Sequence, residues 1–122
     1  MINVTSTQII DYLPVIENYV NFNKNNNYFD KYINKCLKTL TRLLLNDGID
    51  INNNLYDTNE DLIELLLSFI VYSVYLENSY RVEEDRYFIE ELKDKYNSNY
   101  NIFKLKQKQV VSEINVGYLG WY

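Results

Sequence analysis

Histidine is absent from this 122-residue sequence, and cysteine occurs once, at Cys36. A single cysteine excludes an intrachain disulfide, and too few Cys and His side chains exist for a zinc site. Most nucleophilic triads need a histidine or a similar base, so their usual arrangement is excluded as well. The three glycines form no phosphate-binding pattern. We therefore expect a binding protein that is not an enzyme and needs no cofactor or metal.

Long apolar runs are also absent. The longest one, residues 62–76, is interrupted by Glu64, Ser68 and Ser73 and is too short to span a bilayer. The opening sequence MINVTSTQII lacks the basic and apolar regions of a signal peptide. We expect no membrane association, and a location in a cytoplasm or in a particle assembled there.

Charge and residue choice limit the kinds of partner. The sequence has 12 basic and 17 acidic residues and a net charge of -5, whereas a general nucleic-acid-binding protein usually carries a basic face. An acidic lining of a channel would still let DNA slide through, because like charges repel. Alanine is absent and tyrosine occurs 13 times. AT-rich codons explain most of this choice, but tyrosine also supplies contact area at low entropic cost.

Carboxylates occur in two clusters, which are Glu83-Glu84-Asp85 and Glu90-Glu91 with Asp94. A solvated helix face with a favourable N-terminal charge is their ordinary explanation. Glu90 and Asp94 lie one turn apart, but two carboxylates on one helix make no specific metal site. Residues 47–57 lack the spacing and the closing Glu of an EF-hand. A carboxylate-based metalloenzyme stays as a third alternative, which Mg²⁺ or Mn²⁺ should stabilise.

A short first helix is predicted after Thr5. Thr5 and Gln8 have the spacing of a capping box, and Pro14 disfavours helical geometry at Leu13, where the helix should end. Alternatively, Pro14 opens a second turn over residues 14–20, because proline is favourable at a first helical position.

The second helix is indicated by apolar residues at spacings of three and four, which are Phe29, Ile33, Cys36, Leu37, Leu40, Leu43 and Leu44. On this helix Cys36 should be a small buried apolar residue. A basic stripe lies beside the apolar face, formed by Lys31, Lys35, Lys38 and Arg42. Gly48 is available for a left-handed cap that ends the helix, and residues 49–57 are predicted to be a loop.

The third helix is predicted to begin at a capping pair formed by Thr58 and Asp61. Residues 62–76 are apolar almost all round, so this helix should lie at the centre of the fold or between subunits. A buried strand is compatible with its β-branched residues, but its length and its cap favour a helix. A last helix is predicted over residues 83–96. Residues 97–111 form either an exposed helical extension or an extended arm.

The C-terminal segment contains two glycines and four large apolar residues, which make poor helix. It either packs onto its own core or acts as an anchor peptide in a groove of a neighbouring protein. The proposed anchor consists of Val116, Gly117, Tyr118, Leu119, Gly120, Trp121 and Tyr122. The fold class is therefore all-α, a small bundle of about four helices with an extended C-terminal arm. Residues 1–109 form the helical domain and residues 110–122 form the arm.

The opening motifs Val4-Thr5, Ile9-Ile10 and Tyr12-Leu13-Pro14 resemble the head–tail connector (adaptor) proteins of tailed bacteriophages. Those proteins often begin with a threonine-capped short helix that ends in a Tyr-Leu-Pro-like turn. The similarity of pattern continues through an amphipathic helix at residues 28–46 and an apolar helix at residues 59–76. An acidic and aromatic segment at residues 83–87 extends it to about residue 96. The chain departs from the family in its Asn-rich insertion after Pro14 and in its lack of alanine.

This resemblance implies a structural virion protein at the head–tail junction, assembled in the host cytoplasm. The protomer would repeat in a ring, commonly twelve-fold, beneath the portal protein and above a tail or stopper protein. DNA would pass through the ring without sequence-specific contact, and the C-terminal anchor would reach into the portal. A ring needs two complementary patches on each subunit. The basic stripe could pair with an acidic patch formed by Glu83, Glu84, Asp85 and Glu90.

A different class of function is an alternative. A small viral or host helical protein could bind a partner's helix in a hydrophobic groove lined by the third helix. Such a protein would be a compact monomer or dimer, whereas a connector would form a large assembly with the portal.

Overall fold

The computed structural model describes residues 2–16, 28–78 and 86–119, and for residues 109–119 it describes the backbone alone. Within these ranges the chain forms four α-helices and no strand, so the predicted all-α bundle is confirmed. The helices are α1 (Ser6–Tyr12), α2 (Asp30–Asn46), α3 (Glu60–Glu77) and α4 (Arg86–Leu119). A single 3₁₀ turn, Asn54–Tyr56, lies in the connection between α2 and α3, which was predicted to be a loop.

The predicted capping box starts α1. The backbone N–H of Thr5 donates to Gln8 Oε1 at 2.8 Å, and the backbone N–H of Gln8 donates to Thr5 Oγ1 at 3.2 Å. The helix ends at Leu13, as the following Pro14 requires. Pro14 and the residue after it form a turn, and most of the alternative helical turn over residues 14–20 lies outside the described residues.

The left-handed glycine predicted at the end of α2 is confirmed. Gly48 has φ +84°, its N–H donates to the carbonyl of Leu45 at 2.9 Å, and the N–H of Ile49 donates to the carbonyl of Leu44 at 2.8 Å. This pair of bonds is the Schellman motif, which satisfies the last carbonyls of a helix. On the inner face of α2, Cys36 is buried as predicted.

The N-cap of α3 differs from the prediction. Asn59, and not Thr58, precedes the helix with an extended backbone, and its Oδ1 accepts the N–H of Leu62 at 3.0 Å. A cap must occupy the last non-helical residue, and Asn is at least as good a cap as Thr. The predicted central position of α3 is confirmed, because α1, α2 and α4 all pack against it. Its buried residues are Leu62, Leu65, Leu66, Leu67, Ser68, Ile70, Val71, Val74 and Tyr75.

The last helix continues past the predicted residues 83–96. Of the two alternatives for residues 97–111, a helical extension or an extended arm, the structure shows the helical extension, and α4 runs without a break to Leu119. The prediction that the C-terminal segment makes poor helix is therefore wrong for residues 114–119. Residues 83–85 and 120–122 lie outside the described residues. The division between a helical domain and an arm stays a prediction, and α4 runs through the proposed boundary.

Contacts between α3 and α4 explain why residues 97–108 are helical. Asn99 Nδ2 donates to Ser68 Oγ at 3.2 Å, and the hydroxyl of Tyr56 donates to Gln107 Oε1 at 2.8 Å. Between them Phe103 is fully buried, with its ring centroid 6.1 Å from that of Tyr56. These inward residues recur every three or four positions, which is the period of a helix face.

The two longest helices run antiparallel and differ in length. Tyr75 packs on Phe88 near the start of α4, whereas Asp61, at the other end of α3, pairs with Lys106. With 18 residues α3 is about 27 Å long, and with 34 residues α4 is about 51 Å long. Because residue 106 already lies opposite the first turn of α3, residues 109–119 have no α3 residue opposite them.

Candidate interaction surfaces

The residues in the described part of the chain form no cluster of three or more His, Cys, Asp or Glu side chains that could hold a metal ion. None of the helices described there combines the length and the apolar character needed to cross a bilayer. The surfaces with the most distinctive chemistry lie on α2, on the outward face of α4, and along the part of α4 that continues past α3.

The basic stripe lies on the exposed side of α2. Lys31, Lys35, Lys38 and Arg42 are all exposed, and their spacing of four, three and four residues places them on one line along the helix. No acidic residue occurs between positions 31 and 46. The ion pairs found among the described residues, Lys104–Asp47 and Lys106–Asp61, do not involve the stripe. The Nζ of Lys31 lies 4.9 Å from the ring centroid of Tyr32, which keeps this cation beside an aromatic face.

A groove lies beside the stripe, where α2 and α3 meet. It has a volume of about 260 Å³ and is half-open to solvent. Its walls are formed by Lys35, Cys36, Thr39, Phe69, Ser73, Leu76 and Glu77. Lys35 and Glu77, both exposed, give the groove one cation and one anion, while Phe69 and Leu76 supply apolar surface.

The only cysteine lies against this groove but has the character of a structural residue. Cys36 is buried, and its Sγ donates to Ser73 Oγ at 3.4 Å. Burial raises the pKa of the Cys36 thiol, which opposes the thiolate form that nucleophilic chemistry requires. The groove is therefore suited to binding and not to covalent chemistry at this thiol.

The outward face of α4 carries one large aromatic residue and several carboxylates. Tyr87 is 81% exposed, and Glu90, Glu91 and Asp94 are exposed too. Their spacing of three, four and seven residues from Tyr87 places all four on the same side of the helix. The neighbouring residue Phe88 lies about 100° further around the helix, where it packs on Tyr75 of α3. Of the predicted acidic patch, Glu90 belongs to this face, while Glu83, Glu84 and Asp85 lie outside the described residues.

An aromatic seam holds α4 on α3. The rings of Phe69 and Tyr96 stack with centroids 4.5 Å apart, and Tyr75 meets Phe88 edge to face at 5.0 Å. Burial raises the pKa of Tyr96, so its hydroxyl stays protonated. Part of the high tyrosine content is therefore used for packing inside the fold. The spacing of Phe88, Leu92, Tyr96, Tyr100 and Phe103 was the sequence signal for this seam.

A polar clamp joins the end of α2 to α4. The hydroxyl of Tyr100 donates to Asp47 Oδ2 at 2.6 Å, and Lys104 Nζ lies 3.3 Å from the same oxygen. The hydrogen bond from Tyr100, followed by that from Lys104, lowers the pKa of Asp47. Burial and the nearby Asp47 raise the pKa of Tyr100. Asp47 is favoured in its ionised form and Tyr100 in its protonated form, so each favours the state in which the other makes this contact. The contact therefore holds α4 against the end of α2 beyond residue 96.

The segment predicted to be a C-terminal anchor begins inside α4. Residues 116–119 have helical backbone and residues 120–122 lie outside the described residues. Positions 110, 114 and 118 follow position 103 at intervals of seven, four and four residues, which continues the line of the face that packs on α3. The sequence has apolar or aromatic residues at these positions, namely Val110, Ile114 and Tyr118.

Comparisons with protein-family models, with curated proteins and with solved structures give no match to this chain.

Proposed function

We propose that the chain is a structural protein of a tailed-bacteriophage virion, a head–tail connector protomer that forms a ring under the portal. The observation that carries the proposal is the continuation of α4 past the end of α3. A helix of this kind, whose residues 109–119 have an apolar line in their sequence and no α3 residue opposite them, is suited to binding a groove on a neighbouring protein. In the connector the neighbour is the portal protein, and residues 116–122 form the anchor.

The distribution of the remaining surface supports the same function. The apolar helix α3 packs against α1, α2 and α4 of its own chain, and the exposed faces of α2 and α4 offer surfaces for assembly. These faces differ: one carries a row of cations and the other carries carboxylates and Tyr87. Two different complementary patches on one subunit are what a heterologous ring requires. DNA passes through such a ring without sequence-specific contact, and a tail or stopper protein binds below it.

The test is the native mass of the purified protein, alone and mixed with candidate portal protein. Three chains are compared: the full-length protein, a chain that lacks residues 114–122, and a chain with a Gly/Ser segment of equal length in their place. We expect a large complex with the portal for the full-length chain, and loss of that complex for both variants. The Gly/Ser chain separates the contribution of the sequence from that of chain length. A compact monomer that ignores both the portal and the truncation would overturn the connector function.

A groove-binding interaction protein is the second candidate, and the groove between α2 and α3 favours it. Its apolar residues Phe69 and Leu76 lie on α3, the helix expected to line such a groove. This function predicts a monomer or dimer that binds an amphipathic partner helix. Replacing Leu76 with arginine should block that binding, whereas removing residues 114–122 should leave it unchanged.

A further inference from the structure

We propose that copies of this chain join head to tail, with Tyr87 of one copy inserted into the α2–α3 groove of the next. The carboxylates that follow Tyr87 lie along the basic stripe of that next copy. This inference rests on the proposed ring and names the contact that builds it.

We call the outward face of α4, with Glu90, Glu91 and Asp94, the acidic face. On this face Tyr87 is the residue most suited to a buried contact. It is 81% exposed on the first turn of α4, so its ring is accessible to a neighbouring molecule. Tyrosine is enriched at the centres of interfaces because it buries a large ring and keeps a hydroxyl for hydrogen bonding. Leu55 is equally exposed, at 82%, but it has neither the aromatic ring nor the hydroxyl of a tyrosine.

The groove fits one aromatic side chain. Its volume of about 260 Å³ is below the roughly 300–1,000 Å³ typical of small-molecule sites, so a single side chain suits it better than a cofactor. Phe69 and Leu76 offer apolar contact to a tyrosine ring. The hydroxyls of Thr39 and Ser73, which also line the groove, offer hydrogen-bonding partners to its phenol oxygen.

Charge complementarity selects a second copy as the occupant. Lys35 belongs both to the groove and to the stripe, so a tyrosine in the groove brings the residues that follow it alongside the cations. From Lys31 to Arg42 the stripe is about 16 Å long, and from Tyr87 to Asp94 the α4 face is about 10 Å long, at a rise of about 1.5 Å per residue. The acidic face therefore fits within the length of the stripe. With a net charge of -5, copies repel one another in general, and a local pairing of opposite charges would offset this repulsion at the contact.

The two patches lie on different helices of the same chain, so the contact is heterologous. Each copy uses its α4 face toward one neighbour and its α2 face toward the other. Repetition of this contact gives a closed ring when the rotation between copies closes, and a filament when it does not.

The experiment uses two full-length variants, each of which lacks one patch. Tyr87→Ala removes the inserted side chain and keeps the groove, while Leu76→Arg blocks the groove and keeps Tyr87. Self-association is measured by analytical ultracentrifugation, with and without the portal protein used above. We expect each variant alone to associate at least about tenfold more weakly than the wild type, a loss typical of an interface hot spot. The equimolar mixture should form a 1:1 heterodimer that does not grow further.

Two further variants keep this test decisive. The double variant Lys35→Glu/Lys38→Glu reverses two charges of the basic stripe and changes only exposed side chains. It therefore tests the α2 surface even if Leu76→Arg disturbs the fold. Leu105→Ala is the matched control, because Leu105 is also exposed on α4 and lies 18 residues, or five turns, after Tyr87. It should associate like the wild type.

Each outcome has a distinct meaning. If Tyr87→Ala and Leu76→Arg form the same rings as the wild type, the inference is overturned and the connector function is not affected. A mixture that fails to form heterodimers overturns the head-to-tail arrangement. A wild-type chain that is monomeric at every concentration, and also in the presence of the portal, overturns both proposals. Equal losses for Tyr87→Ala and Leu105→Ala would show that any exposed apolar residue on α4 matters, and that Tyr87 has no special contact.

Discussion

Phe103 joins the second half of α4 to the bundle, and its replacement by alanine tests that packing directly. Its side chain is 0% exposed, and its ring meets that of Tyr56 at 6.1 Å between centroids. Truncating a buried phenylalanine costs about 3–5 kcal/mol, because apolar burial is lost and a cavity is left. A domain of this size has a total free energy of unfolding of about 5–15 kcal/mol. Phe103→Ala should therefore remove a large part of the stability of the protein.

Ile102→Ala is the matched control. Ile102 is the preceding residue on the same helix, but it is 45% exposed. Both substitutions place alanine in a helix, so the gain in helix propensity is similar in the two variants. A change at an exposed position is usually within about 0.5 kcal/mol. The difference between the two variants therefore reports the burial of Phe103.

Guanidinium unfolding followed by circular dichroism measures both free energies. The titration is repeated at several protein concentrations, because association of the native chain would raise its apparent stability. We expect a strongly lowered midpoint for Phe103→Ala and an almost unchanged midpoint for Ile102→Ala. Equal midpoints for the two variants would refute the reasoning, since α4 would then not be packed beyond residue 96.

Three further predictions concern caps and charge. Asn59→Ala should lower the free energy of unfolding by about 1 kcal/mol, the usual cost of losing an N-cap, whereas Thr58→Ala should change it little; thermal unfolding compares the two. Gly48→Ala should lower the free energy of unfolding by about 1–2 kcal/mol, because φ is +84° and alanine disfavours this left-handed backbone. No atom lies within 4 Å of an added Cβ, so no steric clash adds to that penalty. The hydrogen bond from Tyr100 lowers the pKa of Asp47 in the folded protein. This contact therefore stabilises the fold above the ordinary carboxyl pKa of about 3.9, and the stabilisation is lost as the pH falls through the lower pKa of the folded state. Asp47→Asn should therefore be less stable than the wild type at neutral pH, and this difference should shrink in acid unfolding titrations below about pH 4; a constant difference would show that the carboxylate charge is not involved.

Local signals in the sequence predicted the first three helices well. Thr5 and Gln8 form the expected box, and Gly48 forms the expected cap, because both motifs depend on residues only a few positions apart. The cap of α3 was assigned one residue too early, since Thr58 and Asn59 are both capable residues and the sequence does not state which has the extended backbone. The sequence leaves residues 97–111 open between a helical extension and an extended arm, because apolar residues and lysines are mixed there. The contacts of Asn99 with Ser68 and of Gln107 with Tyr56 join residues far apart in the sequence, so only the folded structure shows them.

The candidate surfaces also differ in whether the sequence alone predicts them. The stripe on α2 was visible as a regular spacing of cations on one helix. The groove was not, because Cys36 and Ser73 lie 37 residues apart and only the packing of α2 on α3 brings them together. Tyr87 is one tyrosine among 13, and although the spacing of the seam residues of α4 leaves it outside the seam, nothing in the sequence marks it as an interface residue. Exposure distinguishes them: Tyr75 is buried in the bundle, while Tyr87 faces solvent.

The burial of α3 has a consequence for how the protein assembles. Its apolar character could have indicated a helix held between subunits, but α1, α2 and α4 of the same chain cover it. The two proposed contacts therefore differ in their physical origin. The contact between copies pairs opposite charges, so added salt should weaken it as the Debye length shortens. The contact between residues 116–122 and the portal depends mainly on apolar burial, so the same salt should leave it almost unchanged. A salt titration that first separates the copies while the portal stays bound would support this division of roles, whereas simultaneous loss of both contacts would contradict it.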